Sequence, residues 1–484
     1  MAKAVKKHGR VYTPNYIVNL ILDFGGYKSS EILKKHVIDN SCGDGAFLVE
    51  IVNRYCSTFL QISNDLSLLR EELETYIHGI ELDEVECQSC IKNLHQITNK
   101  YGIKDINWNI LNADTLTIDQ FNGKMDFVFG NPPYVRVHNL ETSYESVKKF
   151  KFAKDGMTDL FIVFFEIGFK MLAKEGVMCL ITPSSWLSSL AGKNLRKYIL
   201  TYQKLSGIID LEHFQPFEAT TYTLISRFSN LRKFDQIEYF NFDEDKLDKC
   251  FQENIPYKNI QIDGNLYLSK NDNLDLLRNI KQTYSYPYVS VKNGFATLAD
   301  KVFIGDFEFN EGTIKILKAS TGKWSKCIFP YDSNGKPMPL TVFEKYTNAY
   351  NYLLSNQDRL SKKRDISDDN YWYLFGRTQA LKDVPKTKYA INTIIKDCQS
   401  IKLEIVPKGS GIYSGLYILT DIEFETIKQL IYSEDFIRYI SLLKNYKSGG
   451  YYTFSSKDLE QYLNYKLTKK YGQSRISNSS QGLF

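Results

Sequence analysis

Two rhythms of apolar and polar residues alternate through the first half of the chain. Short, almost wholly apolar runs predict buried strands. The stretches between them carry apolar residues at helical spacing, as expected of helices packed on a sheet. His36-Val37-Ile38-Asp39 reads as a first strand, Ala46 to Tyr55 as a helix, Tyr76 to Glu81 as a second strand, and the stretch on to Asn99 as the next helix. Ile106 to Leu111 and Met125 to Phe129 supply the next two strands, Leu160 to Ala173 another helix, and Gly176 to Ile181 a strand that stops at Pro183. Ile208 to Leu211 and Thr223 to Phe228 add two more. Strands separated by helices predict a parallel sheet with helices on both faces, and no Gly/Pro-rich linker interrupts it before residue 230.

Beyond that point the rhythm is lost. Asp235 to Asn273 is charged and shows no strand-helix alternation, and from Val289 the chain is rich in Tyr, Lys and Ser with turn signals such as Asn334-Gly335. Helices are predicted again at Asp421 to Ile431 and Glu434 to Tyr446, and the Ser-rich tail from Gly472 is expected to fray. The pattern divides the chain into 1–235, a connecting segment 236–288, and a second domain 289–484.

Composition changes this picture little. The 484 residues are 43% hydrophobic, enough for sizeable cores, and 14% aromatic with 34 Tyr and 30 Phe, much of which an AT-rich coding bias explains. A net charge of +5 permits nucleic-acid binding without indicating it, because only a clustered patch makes an electrostatic footprint. The eight Cys are scattered and no signal peptide opens the chain, so reduced thiols in the cytoplasm are expected. Glu166 and Lys170 break the longest apolar stretch, which argues against a membrane span.

The chemistry concentrates where the first four strands end. Asp39-Asn40-Ser41-Cys42-Gly43-Asp44-Gly45-Ala46-Phe47 places two glycines in a strand-to-helix turn that lets backbone approach a ligand; an ordinary tight turn is the alternative. Glu81 ends the second strand, where a carboxylate can take both hydroxyls of a ribose or instead cap the next helix. Asp114 follows the third and can accept from an adenine amino group or close an Asx turn. Asn131-Pro132-Pro133-Tyr134 follows the fourth. Two prolines forbid helix and ladder there, so the turn is stiff. It displays an amide, a rigid carbonyl and an aromatic ring, a set suited to gripping a planar amino-bearing group at the carboxyl edge of a sheet.

Taken together these segments resemble the DNA adenine-N6 methyltransferases that use S-adenosylmethionine, in the gamma arrangement of Type II modification enzymes. The resemblance begins at Gly9-Arg10-Val11-Tyr12-Thr13-Pro14 and runs through the four segments above. It takes in Thr158-Asp159-Leu160-Phe161 and Leu180 to Leu187, and extends loosely to Gly294 to Val302 and Gly449 to Phe454. It implies a Rossmann-like, doubly wound α/β methyltransferase domain followed by an α+β target recognition domain that binds double-stranded DNA. It also implies cofactor contacts from Tyr12, Thr13, Asp39, Ser41, Cys42, Gly43, Gly45, Glu81, Leu82, Asp114 and Asn131, and catalysis by Asn131, Pro132 and Tyr134. Tyr134 and Phe217 are expected to sandwich a flipped-out adenine. An open hollow joining Asn131 to Gly43 and Gly45 is a condition of this reading. The family usually has Pro where Asn40 stands and Ser or Thr where Asp44 stands. Neither change removes a backbone donor.

Other readings remain. Cytosine-N4 enzymes usually carry Ser where Asn131 stands; glutamine methyltransferases share the motif but are much shorter; a catalytically silent specificity subunit has no need of it. Cys87 and Cys90 lack further ligands, so no metal is expected. Glu244-Asp245-Lys246 matches a nuclease tripeptide common by chance, and any cognate restriction endonuclease is expected as a separate protein. Lys362-Lys363-Arg364, and Lys469-Lys470 with Arg475, are candidate phosphate contacts, with Tyr371-Trp372-Tyr373 and Tyr451-Tyr452 close by in sequence.

Overall fold

The computed structural model describes residues 12–136, 144–155, 159–217, 221–361 and 371–479. The chain forms two compact units, Met1–Asp275 and Leu276–Phe484.

The first unit is built on a nine-stranded sheet. Its strands are β1 (Val37–Asp39), β2 (Ile77–Glu81), β3 (Asn109–Asn112), β4 (Met125–Gly130), β5 (Leu172–Pro183), β6 (Leu205–Asp210), β7 (Thr223–Ser229), β8 (Gln236–Asp243) and β9 (Asp248–Pro256), in the spatial order β3-β2-β1-β4-β5-β7-β6-β8-β9. The first five are parallel, with β1 between β2 and β4 so that Asp39 faces Gly79 on one side and Phe129 on the other. The chain leaves β1 toward one edge and later returns to its other side. That reversal opens a crevice at the carboxyl ends of β1 and β4, where such sheets bind ligands.

The sheet is not wholly parallel as expected. Strand β7 runs antiparallel between β5 and β6. The described residues of 211–222 contain no helix, and a parallel return needs a crossover that such a segment cannot supply. Residues 236–288 are divided between the two units. Strands β8 and β9 form an antiparallel hairpin that extends the sheet, and the first unit continues to Asp275. The segment is charged because β9 is an edge strand with a mostly exposed or half-exposed face. Glu244-Asp245-Lys246 lies in the hairpin turn, where the Lys246 ammonium pairs with Asp243 at 2.9 Å.

Helices α1 (Asn15–Phe24), α2 (Ala46–Leu60), α3 (Leu66–Tyr76) and α4 (Glu84–Asn99) share one apolar core with β1 and β2. The sequence reading did not anticipate α1 or α3. Ile225 of β7 belongs to that core, while Phe228, pointing to the other face, packs on Phe165 and Phe169 of α5 (Leu160–Met171). Apolar nearly all round, α5 is buried in protein. A side-chain atom on Gly168 would lie 2.3 Å from the Met178 sulfur of β5, so the helix sits hard against the sheet. The Glu166 carboxylate is buried but receives the Phe152 N–H at 2.9 Å and the Lys170 ammonium at 3.1 Å. Among the described residues no helix is long and apolar enough to cross a membrane.

The second unit combines short sheets with helices. Val289–Asn293, Leu416–Thr420, Lys388–Ile391 and Leu403–Val406 form an antiparallel sheet. The late helices are Phe424–Ile431, Glu434–Leu442 and Ser456–Ser479. Asp383 ties this sheet together by accepting from Lys292 and Lys386 at 2.8 Å each and from Tyr417 at 2.9 Å. Burial pushes its carboxyl up, but these three donors outweigh it and hold the group at about 2. The Lys469 and Lys470 ammoniums are exposed and lie over the rings of Tyr465 and Tyr471. Trp372 and Tyr373 are core residues, whereas Tyr371 is exposed. The cluster Lys362-Lys363-Arg364 and the Arg475 side chain lie outside the described residues.

One buried histidine, His78, paired with the partly buried His36, is expected to make the first unit sensitive to acid. His36 Nδ1 and His78 Nε2 are 2.9 Å apart, and burial, reinforced by His36, pushes His78 down to about 4. An unfolded histidine takes up its proton near pH ~6.5. The stability His78 contributes as a neutral ring is therefore present above that pH and lost as pH falls from ~6.5 toward about 4. The melting temperature of the natural chain is expected to fall relative to that of His78→Gln between pH 7.5 and pH 5, followed by circular dichroism. Parallel curves for the two proteins would contradict this.

Candidate active site

The glycine turn between β1 and α2 sets the site. Gly43 and Gly45 have φ of 54° and 93°, a left-handed region that residues with a side chain rarely adopt. Gly45 is doubly constrained, because a Cβ there would stand 2.8 Å from the Cys90 sulfur of α4. The turn is pinned by Cys42 N–H to Ile80 O at 3.0 Å and Gly45 N–H to Cys42 O at 2.8 Å.

Glu81, at the end of β2, is the main staple. One carboxylate oxygen accepts the Gly43 N–H and the other the Asp83 N–H, both at 2.9 Å. Capping of α4 falls instead to Asp83, which takes the N–H groups of Val85 and Glu86. Asp114 does close an Asx turn, its Oδ1 accepting from Leu116 at 3.0 Å. The adjacent Thr115 hydroxyl donates to Asn40 O at 2.7 Å and so fastens the β3 turn to the β1 turn. Asp39 is 1% exposed and accepts the Ser41 N–H at 3.0 Å. Burial pushes its carboxyl up to about 7; the Ser41 N–H pulls it down and the charge on Glu81 pushes it up. Gly130 lets Asp39 approach β4, since a Cβ at 130 would lie 2.8 Å from its Oδ1.

Asn131 follows at once. Its Nδ2 donates to the Thr13 hydroxyl at 3.1 Å. Tyr12 donates from its hydroxyl to Glu86 of α4 at 3.2 Å, anchoring this segment from the other side. Leu160 N–H donates to Val135 O at 2.8 Å, which ties the start of α5 to the end of the motif. Gly9 to Val11 and Thr158 lie outside the described residues.

These pieces enclose a cavity of about 320 Å³, in the size range of cofactor sites. Tyr12, Thr13, Asp39, Ser41, Cys42, Gly43, Glu81, Leu82, Asp114 and Asn131 all border it. Gly45 does not. It faces a separate hollow behind the turn and serves the packing onto Cys90, so the expected hollow reaches Gly43 only. Pro132, Tyr134 and Phe217 are also absent from its wall. Tyr134 is largely packed in, its hydroxyl on Ile181 O at 3.3 Å and its acidity suppressed by burial. Phe217 is 8% exposed and meets Tyr134 edge to face, with centroids 6.4 Å apart and planes at 73°. Two rings so disposed cannot sandwich a third; each fills the other's edge instead. Phe47, from the glycine segment, also borders the cavity, whereas the rest of the apolar wall, Ile80, Leu116, Val135 and Phe164, was not singled out because nothing in the sequence distinguishes it from core.

A family model described as Eco57I restriction-modification methylase matches residues 48–217. The Type II methyltransferase M.BstVI of Geobacillus stearothermophilus is 31% identical over 426 residues, which cover 75% of this chain and 73% of that one. The chain belongs to the Type II methyltransferases of restriction-modification systems. The Type II restriction enzyme and methyltransferase RM.Eco57I of Escherichia coli is 24% identical over 524 residues, covering 86% of this chain and 52% of its own length. The solved structure of the Type IIL restriction-modification enzyme MmeI in complex with DNA shares the fold, with TM-score 0.63 and 14% identity over 91% of this chain and 63% of that one.

The methyl donor of the methyltransferase is S-adenosylmethionine, and the cavity suits it. Asp39, Asp44, Glu81, Asp83, Glu86 and Asp114 border the cavity, and no Lys or Arg does so among the described residues, a lining fit for a ligand that carries a cationic sulfonium. Each Glu81 oxygen retains a lone pair beyond its backbone partner, enough to accept from two ribose hydroxyls. The buried Ser41 hydroxyl has no protein partner, and Ile80, Leu82 and Leu116 add apolar lining.

Glu81→Gln puts an amide N–H where an oxygen now receives one. Losing a charge-assisted hydrogen bond costs about 1.5–3 kcal/mol, roughly 10- to 100-fold in affinity. Calorimetry with S-adenosylhomocysteine is expected to show a loss of that size; an unchanged Kd would assign Glu81 to the turn alone.

Proposed function

We propose that the chain methylates the exocyclic N6 of an adenine in double-stranded DNA, at one sequence context, as the modification enzyme of a restriction-modification system. The observation that carries this reading is the Asn131 carboxamide bordering the cofactor cavity, directly after β4 and with its NH2 end held by Thr13. Family membership supports DNA as the acceptor. Asn rather than Ser at position 131 supports adenine over cytosine, since it matches the Asn-Pro-Pro-Tyr branch that the sequence resembles.

The acceptor nitrogen is weak because its lone pair is delocalised into the ring. In the proposed mechanism the Asn131 side-chain oxygen and the Pro132 carbonyl both accept hydrogen bonds from the amino group. Two acceptors draw the nitrogen toward a tetrahedral geometry, concentrate its lone pair, and stabilise the positive charge that grows on it, the logic of an oxyanion hole with the sign reversed. S-adenosylmethionine supplies the sulfonium-activated methyl group. Transfer would form the N–C bond as the sulfonium's S–C bond breaks, with S-adenosylhomocysteine as the leaving group; no nucleophile or strong base of the protein is needed, because the amino proton becomes acidic as the nitrogen turns cationic and passes to water.

The target adenine leaves the helix to reach this point, at a cost of a few kcal/mol. Stacking on Tyr134 offsets that cost. In this reading Leu276–Phe484 recognises the DNA sequence.

Transfer of labelled methyl from S-adenosylmethionine to unmethylated duplex DNA tests the proposal. Asn131→Ala is expected to lower the rate by about 10²–10³ while DNA affinity in a gel-shift assay stays within about twofold. Full activity in the variant would overturn the mechanism.

A further inference from the structure

We propose that Thr13 is a positioning residue: its hydroxyl fixes which end of the Asn131 carboxamide meets the incoming amine. The inference rests on the reading of Asn131 given above and assigns Thr13 a task other than holding the cofactor.

A carboxamide is nearly symmetrical in shape but opposite in polarity at its two ends. Turned through half a circle about its last bond, Asn131 would offer N–H groups to an amino group, donor against donor. The mechanism works only with the oxygen turned to the substrate. In the structure the NH2 end is engaged by the Thr13 oxygen at 3.1 Å, across 118 residues of sequence, which leaves the oxygen turned away from Thr13.

Thr13 is well placed to impose this. It is 9% exposed, and its neighbours on both sides are anchored. On one side the Tyr12 hydroxyl bonds Glu86 of α4. On the other, Pro14 has its φ restricted by its ring, and its carbonyl receives the N–H groups of Ile17 and Val18 at 3.0 and 3.1 Å, seating the start of α1. These contacts set where the Thr13 side chain leaves the backbone, and its hydroxyl oxygen is the acceptor that the Asn131 NH2 meets. The stiff turn of Pro132 and Pro133 locates the Asn131 backbone; only a partner at the end of the side chain can set its last torsion.

The test compares Thr13→Val, an isostere without the hydroxyl, with Thr13→Ser, which keeps it. Steady-state methylation of unmethylated genomic DNA and calorimetry with S-adenosylhomocysteine are measured on the full chain. Thr13→Val is expected to lose about tenfold in kcat, the order expected for one hydrogen bond, with the S-adenosylhomocysteine Kd within about twofold of the natural chain. Thr13→Ser is expected to restore kcat. Should Thr13→Val not fold, Thr13→Ala against Thr13→Ser gives the same comparison. Weakened S-adenosylhomocysteine binding with unchanged kcat would overturn the proposal and make Thr13 a cofactor ligand. An inactive Asn131→Ala together with fully active Thr13→Val would also overturn it while leaving the reading of Asn131 intact. An active Asn131→Ala would instead overturn that reading itself.

Discussion

The site depends on one constraint: β1 and β4 lie side by side although two other strands separate them in sequence. Their pairing sets Asp39 opposite Phe129, one residue short of Gly130, and the missing side chain at 130 lets the Asp39 carboxyl close against β4. The glycine turn and the Asn-Pro-Pro-Tyr turn therefore leave the sheet as neighbours. Residues that the sequence separates by some ninety positions thereby come to border one cavity.

Around that junction the acids divide their duties. Glu81 is spent on backbone N–H groups of two different turns, so it braces the cavity as well as lining it. Asp83 caps the following helix, which frees Glu81 from doing so. Asp39 lies deepest and is held near neutrality by burial, with its carboxyl at about 7. The lining is thus acidic without concentrating every charge at one point. A cationic ligand enters surroundings that favour it, and the carboxylates facing it are already positioned by hydrogen bonds to backbone.

The catalytic unit was legible in the sequence where local chemistry dictates local structure. Two glycines forced a left-handed turn, an acid ended β2, and paired prolines stiffened the exit of β4. What was not legible depended on pairing. The inversion of β7 follows from a missing crossover helix, and the β8–β9 hairpin reads as a charged linker because its exposed edge face hides the alternation of Ile237 and Tyr239. Gly45 looked like a ligand-facing glycine, yet it answers to Cys90 of a helix that no turn motif reveals. Tyr134 and Phe217 were expected on opposite faces of a flipped-out base and instead meet edge to face, because ring orientation is a packing property that no motif carries. In the second unit the buried Asp383 node joins Lys292, Lys386 and Tyr417 across strands, and nothing in their spacing announces it.

The central claim is that a rigid turn presents oxygen acceptors to an exocyclic amine of adenine at the edge of an S-adenosylmethionine cavity. Sequencing with modified-base detection, on DNA from cells expressing the chain, tests it most directly. The account predicts N6-methyladenine confined to one sequence context and absent from cells expressing Asn131→Ala. N4-methylcytosine at the modified context, or no modified base at all, would contradict it.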